Sequence, residues 1–226
     1  MGLAHSPQII TDGLVLALDA ANTKSYPSSG GSTWYDVSGK GNNGSITDIS
    51  STSGADGYFD FNGTSSMVVL TNDTSLNPSY VTLSVWVKFD NVSNNRALIA
   101  KRSGTGSGSY WLYVSSLNEI MFDTYQGSTQ NRQTHTYNFS TGTWYNITAT
   151  YSSLAKVIYV NGSSVNSTSG GNALTSVNTS MGIGRDSYNA QYYLDGKISN
   201  VQIYNKGLTA AEVKQNFNAY RGRYGI

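Results

Sequence analysis

Glycoside hydrolysis needs two carboxyl groups flanking the scissile bond, and this chain has few to offer. Its glutamates are Glu119 and Glu212. Glu119 stands four residues before Asp123 with no acidic residue between them, and Glu212 closes Thr209-Ala-Ala-Glu212, a capping box that commits it to a helix start. A Ser-His-Asp arrangement has two histidines to draw on, His5 near the amino terminus and His135 in a strand-like run with Tyr137 and Phe139. Cysteine is absent, so thiol nucleophiles, thiolate metal sites and disulfides are excluded. Gly104-Thr-Gly-Ser-Gly108 lacks the lysine and the following helix of a phosphate-binding loop. No enzyme is expected, and no catalytic residue is assigned.

Recognition chemistry is better supplied, by Tyr 17 and Trp 4. The segment Arg185-Asp-Ser-Tyr-Asn-Ala-Gln-Tyr-Tyr193 combines planar donors, a carboxylate and three aromatic rings, the mixture that binds sugars by stacking and hydrogen bonding. Arg185, Asp186, Tyr188 and Tyr192 are its candidate ligand contacts. Trp34, beside Asp36, is open to a core or a ligand role and is counted with them, whereas Trp86 and Trp144 lie in apolar strands and read as core. Arg221, Arg223 and Tyr224 in the closing tail are candidates for docking on the acidic surface of a partner.

These side chains need a scaffold, and 226 residues suffice for one domain with a sizeable core. Ser, Thr and Asn make up 77 of them, a composition of short strands with polar faces and tight turns. Apolar runs recur between turn residues and predict strands over 13–19, 58–62, 67–70, 81–89, 97–101, 110–114, 120–124, 134–139, 144–151, 156–160, 180–184 and 193–204. Around Trp86 the alternation puts Val81, Leu83, Val85, Val87 and Phe89 on a core face. Asn161-Gly162 predicts a hairpin turn, and 103–109 and 163–171 read as polar loops. About twelve strands in one domain imply two packed antiparallel sheets, preceded by an arm over 1–12 and closed by a helix over 209–220 and a tail over 221–226. A formal net charge of +1 offers no field for nucleic acid or an anionic membrane. No apolar run is long enough to span a bilayer, and 1–11 has no export-signal pattern.

Four segments, in order, resemble the laminin-G-like branch of the concanavalin A-like jelly-roll sandwiches. They are Gly13-Leu-Val-Leu-Ala-Leu-Asp-Ala-Ala-Asn22, Trp34-Tyr-Asp-Val-Ser-Gly-Lys-Gly-Asn-Asn-Gly44, Leu83-Ser-Val-Trp-Val-Lys88, and 194–209, which runs into the helix. The resemblance implies an all-β jelly roll of two antiparallel sheets with a short carboxy-terminal helix. It also implies calcium, with Asp19, Asp36, Asn42 and Asp195 in the segments that often supply its ligands. The chain departs from the family where relatives often carry an acidic residue and it has Ser66 and Ser199. Related sandwich hydrolases set their carboxylates close along one strand, a signature absent here. Residues 211–225 resemble the carboxy termini of laminin-G-like proteins of tailed bacteriophages. That implies a non-catalytic virion surface protein decorating a capsid or fibre, present in many copies among other virion proteins and contacting host-surface glycans. The alternatives are a bacterial carbohydrate-binding module and a purely structural capsid protein.

Overall fold

The computed structural model describes residues 7–52, 57–189 and 191–226. Its strands, in chain order, are β1 (Leu14–Asp19), β2 (Thr33–Trp34), β3 (Gly44–Thr47), β4 (Ser50–Thr52), β5 (Tyr58–Asn62), β6 (Met67–Leu70), β7 (Val81–Phe89) and β8 (Arg96–Gly104). There follow β9 (Ser107–Val114), β10 (Glu119–Gln126), β11 (Thr129–Thr136), β12 (Trp144–Tyr151), β13 (Ala155–Val160), β14 (Ser163–Ser169), β15 (Met181–Ile183) and β16 (Asp195–Tyr204). One α-helix, α1 (Ala210–Tyr220), leads into a 3₁₀ turn over Arg221–Tyr224.

The strands form two antiparallel sheets, as their number predicts. The first runs β14-β13-β12-β7-β16-β5-β4 with β1 also on β16, and the second runs β11-β10-β9-β8-β15-β6-β3-β2. Between them lies the main core, including Trp34, Phe59, Phe61, Phe89, Tyr110, Phe122 and Tyr151. Val81, Leu83, Val85, Val87 and Phe89 of β7 all face it. Trp34 is fully buried there, edge-on to Phe59 with ring centroids 4.5 Å apart, which corrects its reading as a ligand contact.

The reading of 103–109 as a loop is corrected too. Both β8 and β9 extend through it and leave only a tight turn, which Gly106 closes at φ 70°. Most of the polar stretch 163–171 is likewise β14, an exposed edge strand that pairs with β13 and needs no apolar face to form. The Asn161-Gly162 turn before it has φ 51° and 70°. A Cβ on Gly162 would also stand 2.8 Å from Phe217, so the turn and α1 pack only with glycine there.

Helix α1 starts with the predicted capping box, Thr209 and Glu212 bonded reciprocally. It covers the outer face of the first sheet, where Val213 joins Leu14, Val157, Tyr159 and Tyr204 in a second apolar cluster. Trp86 is buried on this face, not between the sheets. Phe217 stacks at 5.6 Å from it and Tyr224 at 4.0 Å. Residues 8–10 are bonded to the same layer, the Ile10 amide donating to Asn216 Oδ1 and Tyr204 Oη donating to the Ile10 carbonyl.

This layer corrects the docking role read into Arg223 and Tyr224. Arg223 donates to both carboxylate oxygens of Asp19, at 2.7 and 3.1 Å, and Tyr224 lies against Trp86. Both side chains hold the chain's own terminus to its first sheet, while Arg221 is exposed. Because Arg223→Ala leaves the nearly buried Asp19 without its cation, it is expected to lower unfolding free energy by about 2 kcal/mol. Urea titration measures this, and an unchanged midpoint would mean that the tail contributes nothing to stability.

Candidate functional site

The outer face of the second sheet carries the richest side-chain chemistry. Strand alternation turns Trp111 and Tyr113 of β9 and Met121 and Asp123 of β10 away from the core, and a bulge in β8 sets Ala97 and Ala100 on the same face. Trp111 and Tyr113 stack at 3.9 Å with an interplanar angle of 18°. The Arg102 guanidinium caps the tryptophan at 4.0 Å, and that of Arg132 lies 5.8 Å from the tyrosine. The result is a ladder of two stacked rings with a cation at each end, held by two cation–π contacts.

Buried carboxylates fix both cations. Arg102 Nη1 donates to Asp186 at 2.5 Å, and Asp186 is fully buried. Arg132 donates to Asp123 through Nε at 2.8 Å and Nη2 at 2.9 Å, and these bonds hold its guanidinium above its ordinary pKa. Gln130 Nε2 adds a third donor to Asp123 at 2.6 Å.

Tyr192 completes one wall of the face. Its ring stacks 5.8 Å from Trp111, and its backbone has φ 57°, rare for a residue with a bulky side chain. The Ala97 amide holds it there by donating to the Tyr192 carbonyl at 2.8 Å. A groove of about 430 Å³ lies over the ladder, rimmed by Asn95, Ser115, Ser116, Leu117, Glu119 and Asn189. Three buried polar atoms here, Arg102 Nε, Trp111 Nε1 and Ser109 Oγ, have no hydrogen-bond partner.

Of the residues read from 185–193, Tyr192 lies in this groove and Asp186 beneath it, holding Arg102. Tyr188 is exposed, its amide donating to Asp186 Oδ1, and Arg185 is half-buried. Arg102, Tyr113 and Arg132 stand in no sequence motif, and Asp123 enters there only as a possible partner for Glu119. The outward alternation of Ser109, Trp111 and Tyr113 was the available signal.

The four residues read as calcium ligands do not form one site. Asp19 pairs with Arg223, and Asp195 lies 3.5 Å from Arg96. Asp36 closes its own loop, accepting from the amides of Ala17, Ser38 and Asn42 and from the Ser38 hydroxyl. Asn42 donates to the Val15 carbonyl and Ser75 Oγ. Asp19 pairs opposite Asn200, five residues along β16 from Asp195, about 16 Å at the rise of a strand. Among the described residues no three His, Cys, Asp or Glu side chains gather to hold a metal. Ser66 and Ser199 are buried, and their hydroxyls donate to the carbonyls of Asp48 and Gly57.

Nor do Glu119 and Asp123 make a hydrolytic pair. Four residues apart on one strand, they are separated by about 13 Å, beyond the roughly 5–9.5 Å that glycoside hydrolysis uses. Asp123 is moreover committed to Arg132. His135 lies on β11, and His5 is outside the described residues.

The sequence profile of the concanavalin A-like lectin/glucanases superfamily matches residues 62–214. The chain belongs to this superfamily. No curated protein matches its sequence. Among solved structures, it is similar to the binding domain of Paraclostridial mosquitocidal protein 1, with TM-score 0.73 and 18% identity over 93% of this chain and 53% of that one. It is also similar to botulinum neurotoxin type C, whose invasion of cells depends on interaction with two ganglioside molecules. There the TM-score is 0.67 and the identity 16%, over 92% of this chain and 52% of the other. A third is the botulinum neurotoxin DC binding domain in complex with SialylT, at TM-score 0.69 and 15% identity over 93% and 52%. This superfamily member thus spans about half the length of those chains, and at such identity the likeness is one of fold. Among the described residues no helix is long and apolar enough to cross a membrane.

Proposed function

We propose that this lectin-like sandwich is a non-catalytic glycan-recognition module whose ligand lies in the groove on the second sheet. The observation that carries the reading is the groove itself. Its floor is the immobilised Arg102–Trp111–Tyr113–Arg132 ladder, its wall is Tyr192, and its rim is a ring of amide, hydroxyl and carboxylate groups. Rigid aromatic groups beside fixed polar groups position a ligand without a large ordering cost. The dependence of structurally similar botulinum neurotoxin type C on two ganglioside molecules supports a glycan reading. Display in several copies on a virion, as the resemblance of 211–225 implies, would turn weak single-site affinity into attachment by avidity.

An array of oligosaccharides, followed by calorimetric titration of those retained, tests the reading. Tyr192→Ala and Glu119→Gln are each expected to weaken binding at least tenfold without changing the fold. Binding that survives both substitutions would remove the ligand from this groove. Cryo-electron microscopy of purified particles tests the virion setting, and absence of the sandwich from every particle component would favour a free carbohydrate-binding module.

A further inference from the structure

We infer a second saccharide site, for sugars that carry a carboxylate, on the opposite sheet where the carboxy-terminal tail meets β7 and β12. A pocket of about 300 Å³ is lined there by Tyr58, Lys88, Trp144, Arg223 and Tyr224. Lys88 and Trp144 are directly opposed cross-strand neighbours. The lysine amine stands 5.2 Å from the Trp144 ring centroid and 5.6 Å from that of Tyr58.

The charge pattern selects the ligand. Arg223 is neutralised by Asp19, and Lys197, next in the row, pairs with Asp60 and Asp90. Lys88 has no carboxylate within 4.0 Å among the described residues, so ring faces are the main compensation for its charge. An ammonium group held over aromatic faces beside a half-buried tryptophan fits a pyranose with a carboxylate. The apolar face of the sugar lies on Trp144, and its carboxylate accepts from Lys88 Nζ. Tyr224, 5.0 Å from Trp144 and stacked on Trp86, forms the rigid far wall.

The second-sheet groove has the opposite bias. Both its arginines are already paired, and Glu119 at its rim interacts with the Ser115 hydroxyl rather than a cation. Acidic and neutral sugars should therefore separate between the two faces, and the acidic site stands whether or not the groove binds a glycan.

The test is titration of the full chain with sialyllactose, a glucuronate-terminated disaccharide and lactose. Both acidic probes are expected to bind, with at least a tenfold loss in Lys88→Met and in Trp144→Ala, little loss in Lys88→Arg, and none in Tyr192→Ala. Raising ionic strength should weaken them, since the carboxylate contact is screened. Thermal melting of Lys88→Met, which keeps the aliphatic stem, checks that the fold is intact. Failure of wild type to bind either acidic probe, or undiminished binding in both Lys88→Met and Trp144→Ala, would overturn the site. Loss in Tyr192→Ala alone would also overturn it and would place acidic sugars in the second-sheet groove.

Discussion

Asp186→Ala is expected to destabilise the chain by roughly 3–5 kcal/mol, because it leaves the Arg102 guanidinium buried without its counter-charge. That is a fifth or more of the stability of an ordinary domain of about 5–15 kcal/mol. Three contacts keep the arginine in place after the carboxylate is gone. Its amide donates to Ser187 Oγ at 2.8 Å, its Nη2 reaches the Gly104 carbonyl at 3.4 Å, and its guanidinium rests on Trp111. The charge therefore cannot swing into water cheaply. A double variant, Arg102→Met with Asp186→Ala, should recover most of the loss, since an apolar pair carries no desolvation penalty. Urea unfolding of the two single variants and the double variant forms the cycle. If Asp186→Ala alone unfolds at the wild-type midpoint, the pair is not what fixes the ladder, and the rigidity argued for the groove falls with it.

The Arg102–Asp186 pair also marks where sequence reading stops. Strand content was legible because each signal is local. Alternation in β7 and in Trp144–Tyr151, the Asn161-Gly162 turn and the Thr209–Glu212 capping box each need only their neighbours, and all appear in the structure. Strands without an apolar face were missed, β14 above all, because an edge strand is specified by the turn before it and by its partner. The site was legible in part. Asp186 and Tyr192 were named, but as ligand contacts, and the arginine that Asp186 holds lies 84 positions earlier in the chain. Asp19 and Arg223 are 204 positions apart, which is why an acidic turn could read as a cation ligand and a basic tail as a docking element. Each residue's type was visible in the sequence, but its partner was set by topology.

Stability should rise with pH above neutrality, and Lys156→Met should remove much of that rise. Lys156 is fully buried near the edge where the sheets meet, with Nζ donating to Thr124 Oγ1 at 3.1 Å and the Asn131 carbonyl at 2.7 Å. Burial lowers its pKa from 10.5 to about 7, with Asp123 opposing the shift. Below pH 7 both folded and unfolded chains hold the proton, and the cost of burying the charge is fully present. Between pH 7 and 10.5 the unfolded chain holds one proton more than the folded chain, so stability climbs with pH, by up to about 1.4 kcal/mol per unit for such a group. Lys101, bonded to Asn72 Oδ1 and the Thr179 carbonyl and lowered to about 8 by burial, adds a smaller rise in the same direction. In Lys156→Met the side chain can still pack on Phe122, and Thr124 can still donate to the Asn131 carbonyl, at 3.4 Å. The variant should therefore melt higher than wild type at pH 6, and the difference should shrink towards pH 10. The opposite result, a variant less stable at every pH, would mean that the amine's bonds across the sheet edge outweigh the burial of its charge. Lys156 would then be the clasp of the sandwich and not its strained point.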